Sequence, residues 1–134
     1  MIRKIILSLM MVCTVVGCTN KEVVSDESKE LEYTSIEQDK AKEMMDNEDV
    51  IILDVRTEEE YNSGYIKDAM LLPLSDIEDK AEDLFKDKKE KILVYCRSGN
   101  RSKEASKVLV KLGYENIYEF GGINTWGYEV ETIE

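Results

Sequence analysis

Residues 91–113 read KILVYCRSGNRSKEASKVLVKLG. An apolar run, Ile92-Leu93-Val94-Tyr95, ends on a cysteine, Cys96, and a compact polar stretch follows at once, Arg97-Ser98-Gly99-Asn100-Arg101. A short continuous apolar run suits a strand buried on both faces. Beyond it, Ala105, Val108, Leu109 and Leu112 recur at i, i+3, i+4 and i+7. That spacing predicts an amphipathic helix under way by Lys103, which Gly113 is placed to end. The stretch is a strand, a tight loop and a helix, with one sulfur at the turning point.

The same alternation extends outward in both directions. Val50–Leu53, Ala69–Leu72 and Asn116–Phe120 are further short strand signals. Ala41, Met44 and Met45 share one helical face, and Ile77, Ala81, Leu84 and Phe85 share another. Ser35 and Gln38 have the spacing of a capping box for the first helix. Strands alternating with helices predict an α/β sandwich, a mostly parallel central sheet flanked by helices. Ligands in such sheets bind beyond the carboxyl ends of the strands. Asp54, Val55 and Arg56 fall at one such end and Cys96 at another.

The N-terminus reads MIRKIILSLMMVCTVVGC. Arg3 and Lys4 precede an apolar run from Ile5 to Gly17, which is shorter than the roughly 20 apolar residues that span a bilayer. The pattern is that of a secretory signal. Val15-Val16-Gly17 before Cys18 resembles a bacterial lipobox, with valine at Val15 where leucine is commonest. The resemblance implies that residues 1–17 are a lipoprotein signal peptide and that Cys18 is lipidated. The domain would then sit on the extracytoplasmic side of a bacterial cell membrane. The polar segment that follows, to residue 30, reads as a flexible tether with an end-to-end distance of roughly 20 Å. One domain, residues 31–134, remains.

Acidic residues number 29 against 18 basic, and the net charge is −11. Loss of Arg3 and Lys4 with the signal would leave 16 cations against the same 29 acids, a charge of −13. Such a surface argues against nucleic acid as a partner. The chain has no histidine. Cys–His and Ser–His–Asp catalysis and histidine-ligated metal sites are thereby excluded. Of three cysteines, Cys13 leaves with the signal and Cys18 carries lipid, so Cys96 is the one thiol of the domain, and no C-x-x-C is present. We expect a monomer with neither metal nor cofactor.

A loop that turns a strand into a helix leaves backbone N–H groups without helical acceptors. Those amides, the helix dipole and the guanidinium groups of Arg97 and Arg101 all lower a thiol pKa. Gly99 allows the tight curl. The loop thus combines a nucleophilic sulfur with an anion pocket.

The segment from Leu31 to about Gly127 resembles the rhodanese family of single-domain sulfurtransferases. Three pieces carry the resemblance, in order: Leu53-Asp54-Val55-Arg56 with Glu59-Glu60-Tyr61, Gly64-Tyr65-Ile66 and Leu71-Leu72-Pro73-Leu74; the loop Cys96-Arg97-Ser98-Gly99-Asn100-Arg101 with Ser102; and Phe120-Gly121-Gly122-Ile123 with Trp126. Tyr65 and Asp68 depart, standing where the family usually has histidine and glycine. The resemblance implies a three-layer sandwich and a two-step transfer. Cys96 takes the outer sulfur of thiosulfate or a similar small anion, releases sulfite, and passes the sulfur from a persulfide to a thiol or cyanide. Arg97, Ser98, Gly99, Asn100 and Arg101 would bind the substrate; Asp54 and Arg56 would support neighbouring loops. Two other readings compete: a module that binds persulfide, sulfide or a protein without turnover, and a cysteine-dependent phosphatase. The phosphatase loop has five residues between cysteine and arginine; four stand between Cys96 and Arg101.

Overall fold

The computed structural model describes residues 31–133. The expected signal peptide, Cys18 and the expected tether lie outside the described residues. The order of elements is β1 (Thr34–Ser35), α1 (Gln38–Asn47), β2 (Ile51–Asp54), α2 (Glu58–Asn62), β3 (Tyr65–Ile66), β4 (Met70–Leu71), α3 (Ile77–Leu84), β5 (Lys91–Cys96), α4 (Asn100–Lys111), β6 (Asn116–Gly122) and β7 (Val130–Glu131). Five strands form one sheet in the order β1-β6-β5-β2-β4, and every pairing in it is parallel. β3 and β7 form a separate antiparallel pair. The architecture is the expected α/β one, with a parallel sheet between two layers.

Side chains alternate across a strand, and β5 shows it directly. Ile92, Val94 and Cys96 face the layer of α3 and α4, where Ala81, Phe85, Leu109 and Tyr114 complete a core. Leu93 and Tyr95 face α1 and the small sheet, against Met44, Ile66 and Phe120. Burial on both faces explains why this strand reads as an unbroken apolar run.

Two expectations are corrected. Ser35 and Gln38 form no capping box: Glu37 is the N-cap of α1, without a side-chain cap. The Gln38 amide instead donates to the carbonyl of Gly122 at 2.9 Å and the hydroxyl of Thr125 at 3.0 Å. β1 pairs with β6 only at Tyr118 and Glu119, so the edge beyond is open, and Gln38 satisfies it. Leu84 is 49% exposed rather than core-facing. The chain leaves α3 at Phe85, whose ring takes the core position. α4 begins at Asn100 and is therefore under way by Lys103, as its spacing predicts.

At the two positions that depart from the family pattern, Tyr65 stacks on Tyr61 with centroids 4.3 Å apart. Asp68 has φ +67°, a left-handed conformation that explains why glycine is at home there and that Asp tolerates better than most residues.

The ends of β2 and β5 are tied by a buried charge. The Asp54 carboxylate accepts from the Arg56 backbone N–H (2.9 Å), from Arg56 Nε (3.0 Å) and Nη2 (2.8 Å), and from the Tyr95 hydroxyl (2.6 Å). Arg56 Nη2 donates onward to the Gly64 carbonyl (2.6 Å), and the Tyr95 oxygen accepts the Ile66 N–H (3.0 Å). Burial works against the Arg56 charge, but the Asp54 carboxylate outweighs it and raises the guanidinium pKa. Burial, then Asp54, pushes the Tyr95 phenol far up. Removing one partner of a buried pair leaves the other uncompensated. We therefore expect Asp54→Ala to cost about 3–5 kcal/mol of folding stability, read from the urea midpoint; a loss under about 1 kcal/mol would class the pair with surface bridges.

Candidate active site

Cys96 is the last residue of β5 and is fully buried. The loop behind it has only three residues, Arg97 to Gly99, before α4 begins. Two glycines make that turn possible. Gly99 holds φ +109° as the N-cap of α4, and its N–H donates to Cys96 Sγ at 3.0 Å. Gly122, which pairs with Cys96 across the sheet, lies under the loop. A Cβ there would stand 2.1 Å from the Arg97 carbonyl oxygen and 2.6 Å from Ser98 N; no side chain fits.

The register explains how β6 presents this surface. Val94 pairs with Glu119, but Cys96 pairs with Gly122, so β6 carries one extra residue between them. Gly121, at φ +93°, absorbs the bulge. Bulges of this kind re-aim neighbouring groups, and here the result is a platform for the loop.

The chemistry of the sulfur is set by opposing causes. Burial pushes the Cys96 thiol up. The Ser102 hydroxyl, 3.4 Å from Sγ, and the backbone N–H groups of Ser102, Gly99 and Ser98 push it down and prevail, so the pKa is lowered. This is the activation expected from a strand–loop–helix turn without histidine.

The cations of the loop differ. Arg101, half-buried, donates through Nη2 to both oxygens of Glu60, at 3.1 and 2.9 Å. Glu60 is set by α2, whose N-cap Thr57 accepts the Glu60 N–H. Arg101 therefore ties α4 to the segment after β2. Arg97 is exposed and makes no ion pair among the described residues. Ser98 and Asn100 are exposed, and Ser98 acts on the sulfur through its backbone. Asp54 and Arg56 sit in the buried network beneath, with each other as partners. Beside the loop a hollow of about 580 Å³ is lined by Ser98, Gly99, Lys103, Glu119, Gly121 and Gly122.

Ser102, Glu119 and Gly122 touch the site or its loop without having been singled out as site residues. The signal for Glu119 was present: an acid two residues after Ile117, on the face that alternation assigns to the core. Trp126 is half-buried and packs its ring 5.5 Å from that of Phe120.

The profile of the Rhodanese-like domain family matches residues 37–129. The chain is 32% identical to the thiosulfate sulfurtransferase GlpE of Coxiella burnetii over 95 residues, 70% of this chain and 87% of that one. It is 36% identical over 92 residues to the tRNA uridine(34) hydroxylase of Cytophaga hutchinsonii, covering 66% of this chain but only 30% of that protein's length. Among solved structures, a rhodanese-related protein from Thermoplasma volcanium superposes with a TM-score of 0.66 at 32% identity, over 75% of this chain and all of that one. With the fold, the loop geometry and the profile in agreement, this chain belongs to the rhodanese-like domain family and is a rhodanese-like enzyme.

Proposed function

We propose that the protein is a sulfurtransferase that moves a sulfane sulfur from thiosulfate or a similar anionic donor to a thiol or cyanide through a persulfide on Cys96. The observation that carries this reading is the Gly99 N–H aimed at Sγ from 3.0 Å at the mouth of α4. It supports a thiolate, and the same amides suit the terminal sulfur of a persulfide. The thiolate attacks the outer sulfur of the donor; the new S–S bond forms as the donor's S–S bond breaks, and sulfite leaves with the electron pair. Fixed amide dipoles meet the charge as it moves to the terminal sulfur. Arg97, exposed and unpaired among the described residues, orients the anionic donor, while Arg101 closes the loop on Glu60.

The location belongs to the same proposal. The basic start, the short apolar run and the lipobox-like Val15-Val16-Gly17-Cys18 support a lipid anchor at Cys18, with the domain on the extracytoplasmic face. Acyl chains there would hold the protein stably, at about 0.8 kcal/mol per buried methylene.

Incubating the full chain with thiosulfate should add one sulfur to Cys96 by mass, and cyanide should then release thiocyanate with turnover; Cys96→Ala should abolish both. A stable adduct without turnover would favour the binding module instead. Because the Cys96 pKa is lowered, its thiolate absorbance should develop at lower pH than that of a free, exposed cysteine thiol titrated alongside; a midpoint at or above that of the free thiol contradicts the activation. Cys18→Ala should move the protein from the membrane to the soluble fraction, and unchanged retention would rule out the anchor.

A further inference from the structure

The hollow of about 580 Å³ beside the loop lies at the carboxyl ends of β1, β5 and β6, where α/β sheets take their ligands. Gly99 forms part of its wall, and the Gly99 N–H is the group that meets Cys96 Sγ. Cys96 itself is fully buried. A persulfide would carry its outer sulfur about 2 Å farther out, toward whatever occupies the space beside the loop.

The charges around this hollow divide by side. α4 covers one face of the sheet through Ala105 and Leu109, and α1 covers the other through Ala41 and Met44. Lys103 lines the hollow from α4, and the exposed Arg97 stands on the adjoining loop. Glu37 and Asp39 line it from the start of α1. None of these four is in an ion pair among the described residues. Glu37 makes no cap bond, and Asp39 accepts from the Tyr128 hydroxyl. The helix end at α1 carries roughly half a unit of positive charge, which the two carboxylates outweigh. From β6, Glu119 also lines the hollow. Its Oε2 has one contact among the described residues, the Ser35 hydroxyl at 3.5 Å, and stays open to an N–H donor. Opposite charges that share one hollow without meeting leave room for a ligand that bridges them.

We propose that the sulfur acceptor is a small thiol carrying both an ammonium and a carboxylate, seated in this hollow. Its carboxylate faces Lys103 and Arg97, and its ammonium faces Glu37 and Asp39. Lys103, Glu37 and Asp39 are then specificity-determining residues for the second step. The assignment rests on the sulfur-transfer reading. The acceptor's thiol proton goes to water, and its thiolate attacks the outer sulfur of the Cys96 persulfide. A new S–S bond forms as the one to Cys96 breaks, and Cys96 keeps the electron pair as a thiolate. Sulfite has left by then, so Arg97 serves the anionic donor and the acceptor carboxylate in turn.

The test loads the full chain with thiosulfate, removes excess donor, and mixes it with one thiol at a time. Loss of one sulfur from Cys96 is followed by mass in a single turnover. D- and L-cysteine have the same charge and intrinsic reactivity, so the wild type alone is informative. A site that holds thiol, ammonium and carboxylate at three points should favour one enantiomer by about threefold or more. Charge is read with L-cysteine, cysteamine (ammonium only) and 3-mercaptopropionate (carboxylate only), each rate taken relative to 2-mercaptoethanol, which has neither group. Lys103→Gln should lower the relative rates of cysteine and mercaptopropionate by about threefold, and not that of cysteamine. Glu37→Gln combined with Asp39→Asn should lower those of cysteine and cysteamine, and not that of mercaptopropionate. Equal rates for the two enantiomers overturn the proposal, as do variants that slow every thiol alike. If thiosulfate leaves no sulfur on Cys96, the sulfur-transfer reading falls and this assignment with it. Sulfur that loads and then leaves without regard to charge or handedness sinks the assignment alone.

Discussion

The fold is organised around a carboxylate that cannot reach water. Asp54 is fully buried at the end of β2, and its energy is acceptable only while every donor around it stays in place. Those donors come from two directions: the Arg56 backbone and side chain, and the Tyr95 hydroxyl on the neighbouring strand. Tyr95 and Arg56 then reach the small sheet at Ile66 and Gly64. Three parts of the molecule are locked by one charge. Because Tyr95 immediately precedes Cys96, the same lock fixes the point from which the reactive loop departs.

The loop itself is governed by a different constraint, the space between two backbones. Gly122 lets the Arg97–Ser98 peptide rest on β6, and the Asn124 N–H donates to the Arg97 carbonyl from the far side at 3.2 Å. With the peptide held on one side, the amides of Ser98 and Gly99 are turned toward the sulfur. Burial and ionisation of a thiol normally oppose each other. Here the same close packing that excludes water also brings the donors that replace it. The division of labour between the two arginines follows from their places in the chain: Arg101, in the first turn of α4, reaches Glu60 of α2, whereas Arg97 stays exposed on the loop.

Much of this was legible before any coordinates. The apolar runs at Val50–Leu53 and Ile92–Tyr95 marked β2 and β5, where burial on both faces leaves little room for polar alternation, the mixed run Asn116–Phe120 marked β6, and Cys96 fell at a strand end as expected. β6 runs two residues farther than its strand signal, since Gly121 and Gly122 hold strand geometry through pairing and a bulge that composition does not encode. β1, β3 and β7 have two residues each; no periodicity exists in so short a span, and tertiary pairing alone creates them. The Ser35–Gln38 spacing was a true local pattern that lost to an open strand edge elsewhere in the chain. The Arg101–Glu60 and Ser102–Glu119 contacts join residues 41 and 17 positions apart, beyond the reach of any local rule, although an acid on a buried strand face was itself a sign that something unusual faced it.

The sheet's outline has a consequence for crowding. Both edge strands, β1 and β4, are two residues long, while the longer β6, β5 and β2 are interior. The stretch of β6 that outruns β1 is sealed by the Gln38 side chain. An extended segment from another copy would find almost no ladder to join, the usual route by which sheets recruit neighbours into fibres. At high concentration, copies that carry strong like charge also repel at a distance, and the described residues offer only short edges at contact.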